Sequence, residues 1–378
     1  MKSKINTFFL TIFLLLVIIL GEIESIREIR YLIAPISLLF YLSNISNGNI
    51  INYGLINLLK LFFLLIPATF LFSYLFTTNI ENQNIYLVKD FIFITAPIFS
   101  VILLNRSKYF KYKILLFFSF VILTFYQMFM VVLEFGSNDN TSIIQFILYG
   151  SNSSVEGSLA FIYGFLVFYL FIEKRYRLFF ASSIVLFFFG KRIVFFGVVI
   201  TCITYLTYFK FVKPALFKWS ILVLFIIVSI FMYLFAGSYF NDFVLDNYNV
   251  SLNAITQGRY QLLNDNYSEI EYSTFFFGNG YGFTTSFLIN NDSKLNLIHS
   301  DIFRLFIESG IIGTLLFYNF FYKKLHDNST IIFGLLFLII SISDNILVYG
   351  HVMFYYYLIV SNLNQSAKNG LKKNAFKH

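Results

Sequence analysis

Residues 216–236 read LFKWSILVLFIIVSIFMYLFA, an apolar stretch whose only charged side chain, Lys218, lies close to one end. A helix of about 20 apolar residues is long enough to span the hydrocarbon core of a bilayer. A helix at the surface of a soluble protein needs a polar face, which this stretch lacks. Residues 216–236 therefore predict a transmembrane helix.

The same pattern recurs along the whole chain. Of the 378 residues, 58% are hydrophobic and only 12% are charged. Soluble domains carry roughly 25% charged residues, so a water-soluble fold of this length would leave too much apolar surface exposed. We predict an all-α integral membrane protein that forms one domain over residues 1–378, with about twelve transmembrane helices, within a range of roughly ten to thirteen. The predicted spans lie near residues 6–21, 31–46, 55–76, 86–104, 114–134, 158–172, 176–190, 193–210, 216–236, 301–322, 330–347 and 351–363.

Lysine and arginine are distributed unevenly between the two sides that these spans define. With the N-terminus in the cytoplasm, most of the 27 Lys and Arg residues fall on the cytoplasmic side, where Glu173 and Asp327 are the only acids. Cytoplasmic loops carry such an excess, so both termini are predicted to be cytoplasmic. The net charge of +8 reflects this asymmetry, and we expect no nucleic-acid partner.

Two loops on the outer side are long in this topology, and the others are short hairpins. The smaller one, residues 135–157, is polar and rich in Asn and Ser. The larger one, residues 237–300, has mixed polarity, and we expect it to be partly helical and to fold against the membrane. Function is expected on this outer side, around the larger loop.

Several basic residues lie on the outer side, against the charge rule. Lys191 and Arg192 fall where one span ends and the next begins, so they form either a plain turn or a site for an anion. Arg259 follows Gly258, and the apolar residues after it predict a short amphipathic helix that begins near Arg259. A single Arg in a loop is usually solvated, so both interpretations remain open there too.

His299 ends the large loop, immediately before a predicted span. With Asp301 as its cap, the helical period places Asp301, Arg304 and Glu308 on one face. A carboxylate at membrane depth needs a partner, so Glu308 is expected to pair with Arg304 four residues earlier or with a charge on a neighbouring helix. His299 beside this set is either a structural or a functional residue.

The glycine-rich stretch, the single cysteine and the histidine spacing do not indicate a nucleotide site, a disulfide or a metal site. Residues 278–282, GNGYG, lack the Lys and Ser or Thr of a phosphate-binding loop and predict a tight turn with positive φ. Cys202 is the only cysteine, and no pair of His residues has the spacing of a metal site.

The order of these elements resembles a known family. Residues 299–313, HSDIFRLFIESGIIG, are similar to the motif of the O-antigen ligase and polymerase superfamily. In that family a His ends the large periplasmic loop, and a Glu-x-Gly-x-x-Gly element follows in the next helix. Residues 258–260 resemble the family's Gly-Arg element, and residues 190–192 resemble its basic element at the outer end of a mid-chain helix. Asp301 and Arg304 depart from the family pattern.

The resemblance implies a metal-independent membrane glycosyltransferase of GT-C-like architecture, with no cofactor. It implies a location in the bacterial inner membrane, with the active site facing the periplasm and an undecaprenyl-diphosphate-linked oligosaccharide as substrate. Membrane lipid, a flippase and a chain-length regulator are the partners expected beside it. The implied catalytic residues are His299, Arg259 and Arg192; the residues implied to bind the diphosphate or the glycan are Lys191, Tyr260, Arg304 and Glu308.

Three functions are compatible with these implications. The first is a polymerase that joins lipid-linked repeat units into O-antigen or capsular polysaccharide by inverting glycosyl transfer. The second is an O-antigen ligase that moves finished glycan to lipid A-core. The third is a flippase or transporter of the lipid-linked unit, although transporters usually show internal repeats, which this chain lacks. We expect the polymerase.

Overall fold

The computed structural model describes residues 2–44, 53–76, 83–107, 110–137, 157–188, 191–208, 213–237, 239–256, 258–267, 272–291, 298–323, 325 and 327–375. All regular elements within these residues are helices, which confirms the predicted all-α class. A 3-10 helix spans Glu24–Leu32. The α-helices in chain order are α1 (Lys2–Leu20), α2 (Ile33–Leu42), α3 (Tyr53–Phe76), α4 (Gln83–Arg106), α5 (Tyr112–Ser137), α6 (Leu159–Ile172), α7 (Tyr176–Phe187), α8 (Arg192–Tyr208), α9 (Pro214–Ala236), α10 (Tyr239–Tyr248), α11 (Leu252–Ile255), α12 (Arg259–Tyr267), α13 (Tyr272–Phe277), α14 (Phe283–Asn290), α15 (Asp301–Lys323), α16 (Asn328–Ser343) and α17 (Gly350–Ala375).

Three of the described helices are long and apolar enough to cross a membrane. They cover Gln83–Arg106, Tyr112–Leu133 and Ala215–Ala236, the last of which contains the predicted transmembrane stretch 216–236. Shorter apolar helices lie beside them, among them Leu159–Ile172 and Asn328–Ser343. These apolar helices support a helical membrane protein. The number of about twelve spans stays a prediction.

The helices divide into buried ones and ones with an outward apolar face. α6 is apolar all round and almost entirely buried, because it lies between α5, α7, α8 and α17. α5 and α9 instead expose large apolar side chains such as Phe125 (70% exposed) and Trp219 (65% exposed). Soluble proteins rarely expose so large an apolar surface, whereas contact with lipid makes it favourable.

α15 is broken near its middle, and the break positions the large loop. Gly310 has φ 62° and ψ −178°, outside the helical region. The carbonyls of Ile307 and Glu308 accept hydrogen bonds from the backbone N–H groups of Asn279 (2.8 Å) and Gly280 (3.0 Å). The loop thus supplies the donors that the broken helix lacks.

The turn at residues 278–282 has the predicted backbone. Gly278, Gly280 and Gly282 all have positive φ, between 80° and 85°. At Gly278 a Cβ atom would lie 2.4 Å from the backbone of Glu308, so glycine is required there for close approach as well as for φ.

Residues 237–300 contain α10 to α14, and several of these short helices pack on the long ones: α12 contacts α9, α13 contacts α15, and α14 contacts α4. Most of the smaller predicted loop, residues 138–156, lies outside the described residues.

Candidate functional site

A cavity of about 450 Å³ lies where the first residue of α8 and the last turns of α9 and α16 meet α11 and α12. Its apolar wall is formed largely by α9, through Phe231, Met232 and Phe235. Its polar lining comes from segments far apart in the sequence: Lys191, Arg192, Thr256, Arg259, Tyr260, His299, Ser343 and Asp344. Five of the seven residues proposed from the sequence therefore line one cavity.

Arg259 is positioned by the start of α12. Gly258 has φ +87°, and the helix begins at the next residue, as the sequence predicts. The hydroxyl of Thr256 accepts a hydrogen bond from the N–H of Tyr260 at 2.9 Å, which ties α12 to α11. The Arg259 side chain is exposed and lines the cavity.

Tyr260 anchors α12 to the end of α9. Its hydroxyl donates a hydrogen bond to the carbonyl of Gly237 at 3.0 Å, and its ring packs edge-on against Phe235. The amide of Asn264, one turn later, donates to the carbonyl of Ala236 at 2.8 Å. Because its hydroxyl is already bonded, Tyr260 presents mainly its ring to the cavity.

Lys191 is held by an acidic partner, Asp344, that the sequence pattern does not indicate. Its ammonium lies 2.9 Å from a carboxylate oxygen of Asp344 and 4.8 Å from the centre of the Phe161 ring. Asp344 directly follows α16 and also lines the cavity. One sequence feature could have indicated this pair. Asp344 is an acid at the end of a predicted apolar span, and the predicted topology places it on the same side as Lys191.

The cavity is cationic. Lys191, Arg192 and Arg259 line it, against the single carboxylate of Asp344. Arg192 is the first residue of α8, and its side chain is exposed. Three cationic side chains thus line the cavity beside one carboxylate, and the forked donors of a guanidinium group such as that of Arg259 suit a phosphate group.

His299 lies in the lining just before α15. Its side chain is half-buried, and its buried Nδ1 has no hydrogen-bond partner within the described residues. Burial lowers the pKa of His299 below its ordinary value; the charge of Asp344 opposes this shift, and the charges of Arg259 and Lys191 add to it. A neutral imidazole at neutral pH is able to accept a proton.

Arg304 and Glu308 do not line this cavity. Arg304 Nε lies 3.2 Å from Glu308 Oε1, which confirms the predicted pair, and its guanidinium also forms an ion pair with Asp90 of α4. Thr284 donates a hydrogen bond to Glu308 at 2.5 Å. All four side chains are buried. This group is called the Arg304 cluster below.

The predicted cap of α15 is wrong. The hydroxyl of Ser300, not the carboxylate of Asp301, accepts the N–H of Phe303 at the helix start, at 3.3 Å. Asp301 instead accepts the backbone N–H of Leu347 at 2.9 Å, and its own N–H donates to the carbonyl of Asp344 at 3.2 Å. Asp301 thereby holds the linker between α16 and α17 beside the cavity.

Among the described residues, no group of three His, Cys, Asp or Glu side chains is arranged to hold a metal ion. Gly190, part of the basic element noted in the sequence, lies outside the described residues. No family model matches the chain, and neither a curated protein nor a solved structure matches it. The resemblance to the O-antigen ligase and polymerase superfamily therefore rests on the sequence motifs alone.

Proposed function

We propose that this protein polymerises undecaprenyl-diphosphate-linked oligosaccharide repeat units into O-antigen or capsular polysaccharide. The observation that carries the proposal is the meeting of a half-buried His299 with Arg192 and Arg259 in one cationic cavity. A polyanionic leaving group and a hydroxyl nucleophile are the two reactants that such a set of side chains suits.

The reaction is an inverting glycosyl transfer. A hydroxyl oxygen of the acceptor sugar attacks the anomeric carbon of the donor from the face opposite the diphosphate. The new C–O bond forms as the bond between the anomeric carbon and the diphosphate oxygen breaks. The electron pair leaves with undecaprenyl diphosphate, and the proton of the attacking hydroxyl passes to the His299 imidazole.

The two arginines stabilise the leaving group. Negative charge grows on the diphosphate as the glycosidic bond breaks, and the forked guanidinium donors of Arg192 and Arg259 are suited to bind it. Lys191 contributes through position: its ion pair with Asp344 joins the start of α8 to the end of α16. This chemistry requires no metal and no cofactor.

The setting is the bacterial inner membrane. In the proposed topology about twelve helices span the bilayer, both termini are cytoplasmic, and the cavity faces the periplasm in a GT-C-like architecture. The lipid tail of the substrate then lies in the bilayer while its diphosphate reaches the cavity. A flippase that delivers the repeat unit and a chain-length regulator are the expected partners.

The test uses a deletion strain complemented with Arg192→Ala, Arg259→Ala or His299→Ala, with polysaccharide separated by gel electrophoresis. Each variant is expected to lose the polymer ladder and to retain a single repeat unit. Arg177→Ala is the matched control, because Arg177 is an exposed Arg on α7 that does not line the cavity. Immunoblots verify equal protein levels.

Other outcomes identify other functions. Normal polymer that stays on the carrier lipid would assign the chain as a ligase. Repeat units trapped on the cytoplasmic side would assign it as a transporter. Wild-type ladders in all three variants would refute the proposed site.

A further inference from the structure

A second cavity, of about 330 Å³, is lined in part by residues 348–351, where the linker between α16 and α17 ends and α17 begins. It is enclosed by the 3-10 helix Glu24–Leu32, α2, α4, α14 and the start of α17. Within the part of the chain that the structure describes, the two cavities share no lining residue. The side chains that carry its chemistry are Arg30, Tyr31, Tyr86, Lys89, Asp90 and His351.

Aromatic rings form part of the wall of this second cavity. Tyr31 stacks on Phe93 with the ring centres 5.0 Å apart and the planes 21° apart. The ammonium of Lys89 lies 5.6 Å from the centre of the same Phe93 ring. Tyr86 and Tyr349 add two more rings to the lining. Flat aromatic faces beside hydrogen-bonding groups are suited to the C–H faces and hydroxyls of a sugar ring.

Two polar groups of the lining, those of Arg30 and His351, are held in place by partners within the protein. Arg30 forms an ion pair with Glu22 at 2.8 Å, and the Ser158 hydroxyl donates to the same carboxylate at 2.6 Å. Ser158 also lies 2.6 Å from Nε2 of His351. This chain of contacts positions Arg30 and His351 before any ligand arrives, so little entropy is lost on binding.

The charge balance of the second cavity differs from that of the first. Two cations, Arg30 and Lys89, and two acids, Glu28 and Asp90, line the second cavity, whereas the first has three cations and one carboxylate. Arg30 is already paired with Glu22 and Asp90 with Arg304, so the second cavity stays balanced with Lys89 and Glu28. A balanced set of charges does not favour a diphosphate. An acyl chain is disfavoured too, because it would remove the exposed Lys89 and Glu28 from water without offering them hydrogen bonds. A glycan, rich in hydroxyls, satisfies both requirements.

We infer that this second cavity binds the sugar residues of the acceptor glycan; the inference rests on the proposed function. The two cavities are close together, because Asp344 lines the first and Val348 lines the second. Four residues of chain reach at most about 14 Å. An acceptor sugar held in the second cavity is thus within a few sugar lengths of His299.

The test measures binding of a lipid-free glycan to purified full-length protein in nanodiscs. The probe is the host's own repeat-unit oligosaccharide, released from its carrier lipid by mild acid, and binding is followed by calorimetry. Tyr31→Ala is expected to weaken binding about tenfold, whereas Tyr31→Phe keeps the ring and binds as wild type. Ala34→Phe, which fills the cavity without removing a polar group, is expected to abolish binding. Phe125→Ala is the control for loss of an aromatic ring away from both cavities.

The outcomes separate this inference from the proposed function. Arg259→Ala is expected to lose the polymer ladder yet to bind the lipid-free glycan within about twofold of wild type. Failure of the wild type to bind the glycan, or wild-type affinity in both Tyr31→Ala and Ala34→Phe, would overturn the second cavity as the acceptor site. Wild-type ladders in Arg192→Ala, Arg259→Ala and His299→Ala together would instead refute the site on which the proposed function rests, whatever the glycan binding.

Discussion

The first cavity and the Arg304 cluster contain the same kinds of charged side chain, but they pair those charges differently. In the cluster, one buried guanidinium lies between the carboxylates of Asp90 and Glu308. In the cavity, Arg192 and Arg259 extend exposed guanidinium groups beside a single carboxylate that already contacts Lys191. In the cluster the guanidinium is outnumbered by two carboxylates, whereas in the lining of the cavity three cations outnumber one carboxylate.

This difference separates the residues of the family-like motif that are expected to stabilise the fold from those that are expected to act on the substrate. His299 and Glu308 are nine positions apart, yet one lines the cavity and the other binds Arg304 and Thr284. A buried charge without its partner is costly, so the cluster is expected to control folding. Exposed arginines cost little to remove, so the cavity is expected to control activity.

The largest effect is expected from Arg304→Met compared with Arg259→Met. Arg304→Met leaves two buried carboxylates uncompensated, and we expect a loss of about 3–5 kcal/mol in the free energy of unfolding. Arg259→Met is expected to stay within about 0.5 kcal/mol of wild type while losing polymerisation. Thermal unfolding in detergent measures the first effect and the polymer ladder the second.

The opposite result would remove the distinction between the two regions. If Arg304→Met unfolded at the wild-type temperature but made no polymer, Arg304 would belong to the substrate site, as the sequence resemblance implies.

The Lys191–Asp344 pair gives a smaller and more local effect. Its side chains are 14% and 5% exposed, so a double-mutant cycle of Lys191→Met and Asp344→Leu is expected to give a coupling energy of about 1–3 kcal/mol. The matched control is Lys113–Glu173, whose nitrogen–oxygen distance is 3.0 Å but whose Lys is 60% exposed. That pair is expected to couple by less than about 1 kcal/mol. Equal coupling in the two cycles would show that Asp344 does not hold the cavity wall.

Sequence reasoning found the residues whose signal is local and missed those whose partners are distant. Long apolar runs predicted the helices, and Gly258 before an amphipathic pattern predicted the start of α12. Asp344 and Asp90 were missed because their partners, Lys191 and Arg304, lie 153 and 214 positions away. The prediction of Asp301 as the cap of α15 failed for the same reason. The Asp301 carboxylate accepts a hydrogen bond from the distant Leu347, and Ser300 caps the helix instead.

The smallest effect concerns the pH dependence of His299. Its pKa lies below the ordinary value of 6.5, mainly because burial disfavours the charged form. In the proposed mechanism the neutral imidazole is the base, so kcat/KM is expected to be constant at neutral pH and to fall as the pH drops through this lowered pKa. Removing the positive charge of Arg259 is expected to raise the pKa and move the acid limb to higher pH in the residual activity of Arg259→Gln. Asp344→Asn, which removes a negative charge, is expected to move the limb to lower pH, and both shifts should be under about one pH unit. The profile is measured with lipid-linked repeat units in nanodiscs; shifts of the same sign in both variants would exclude His299 as the group that titrates.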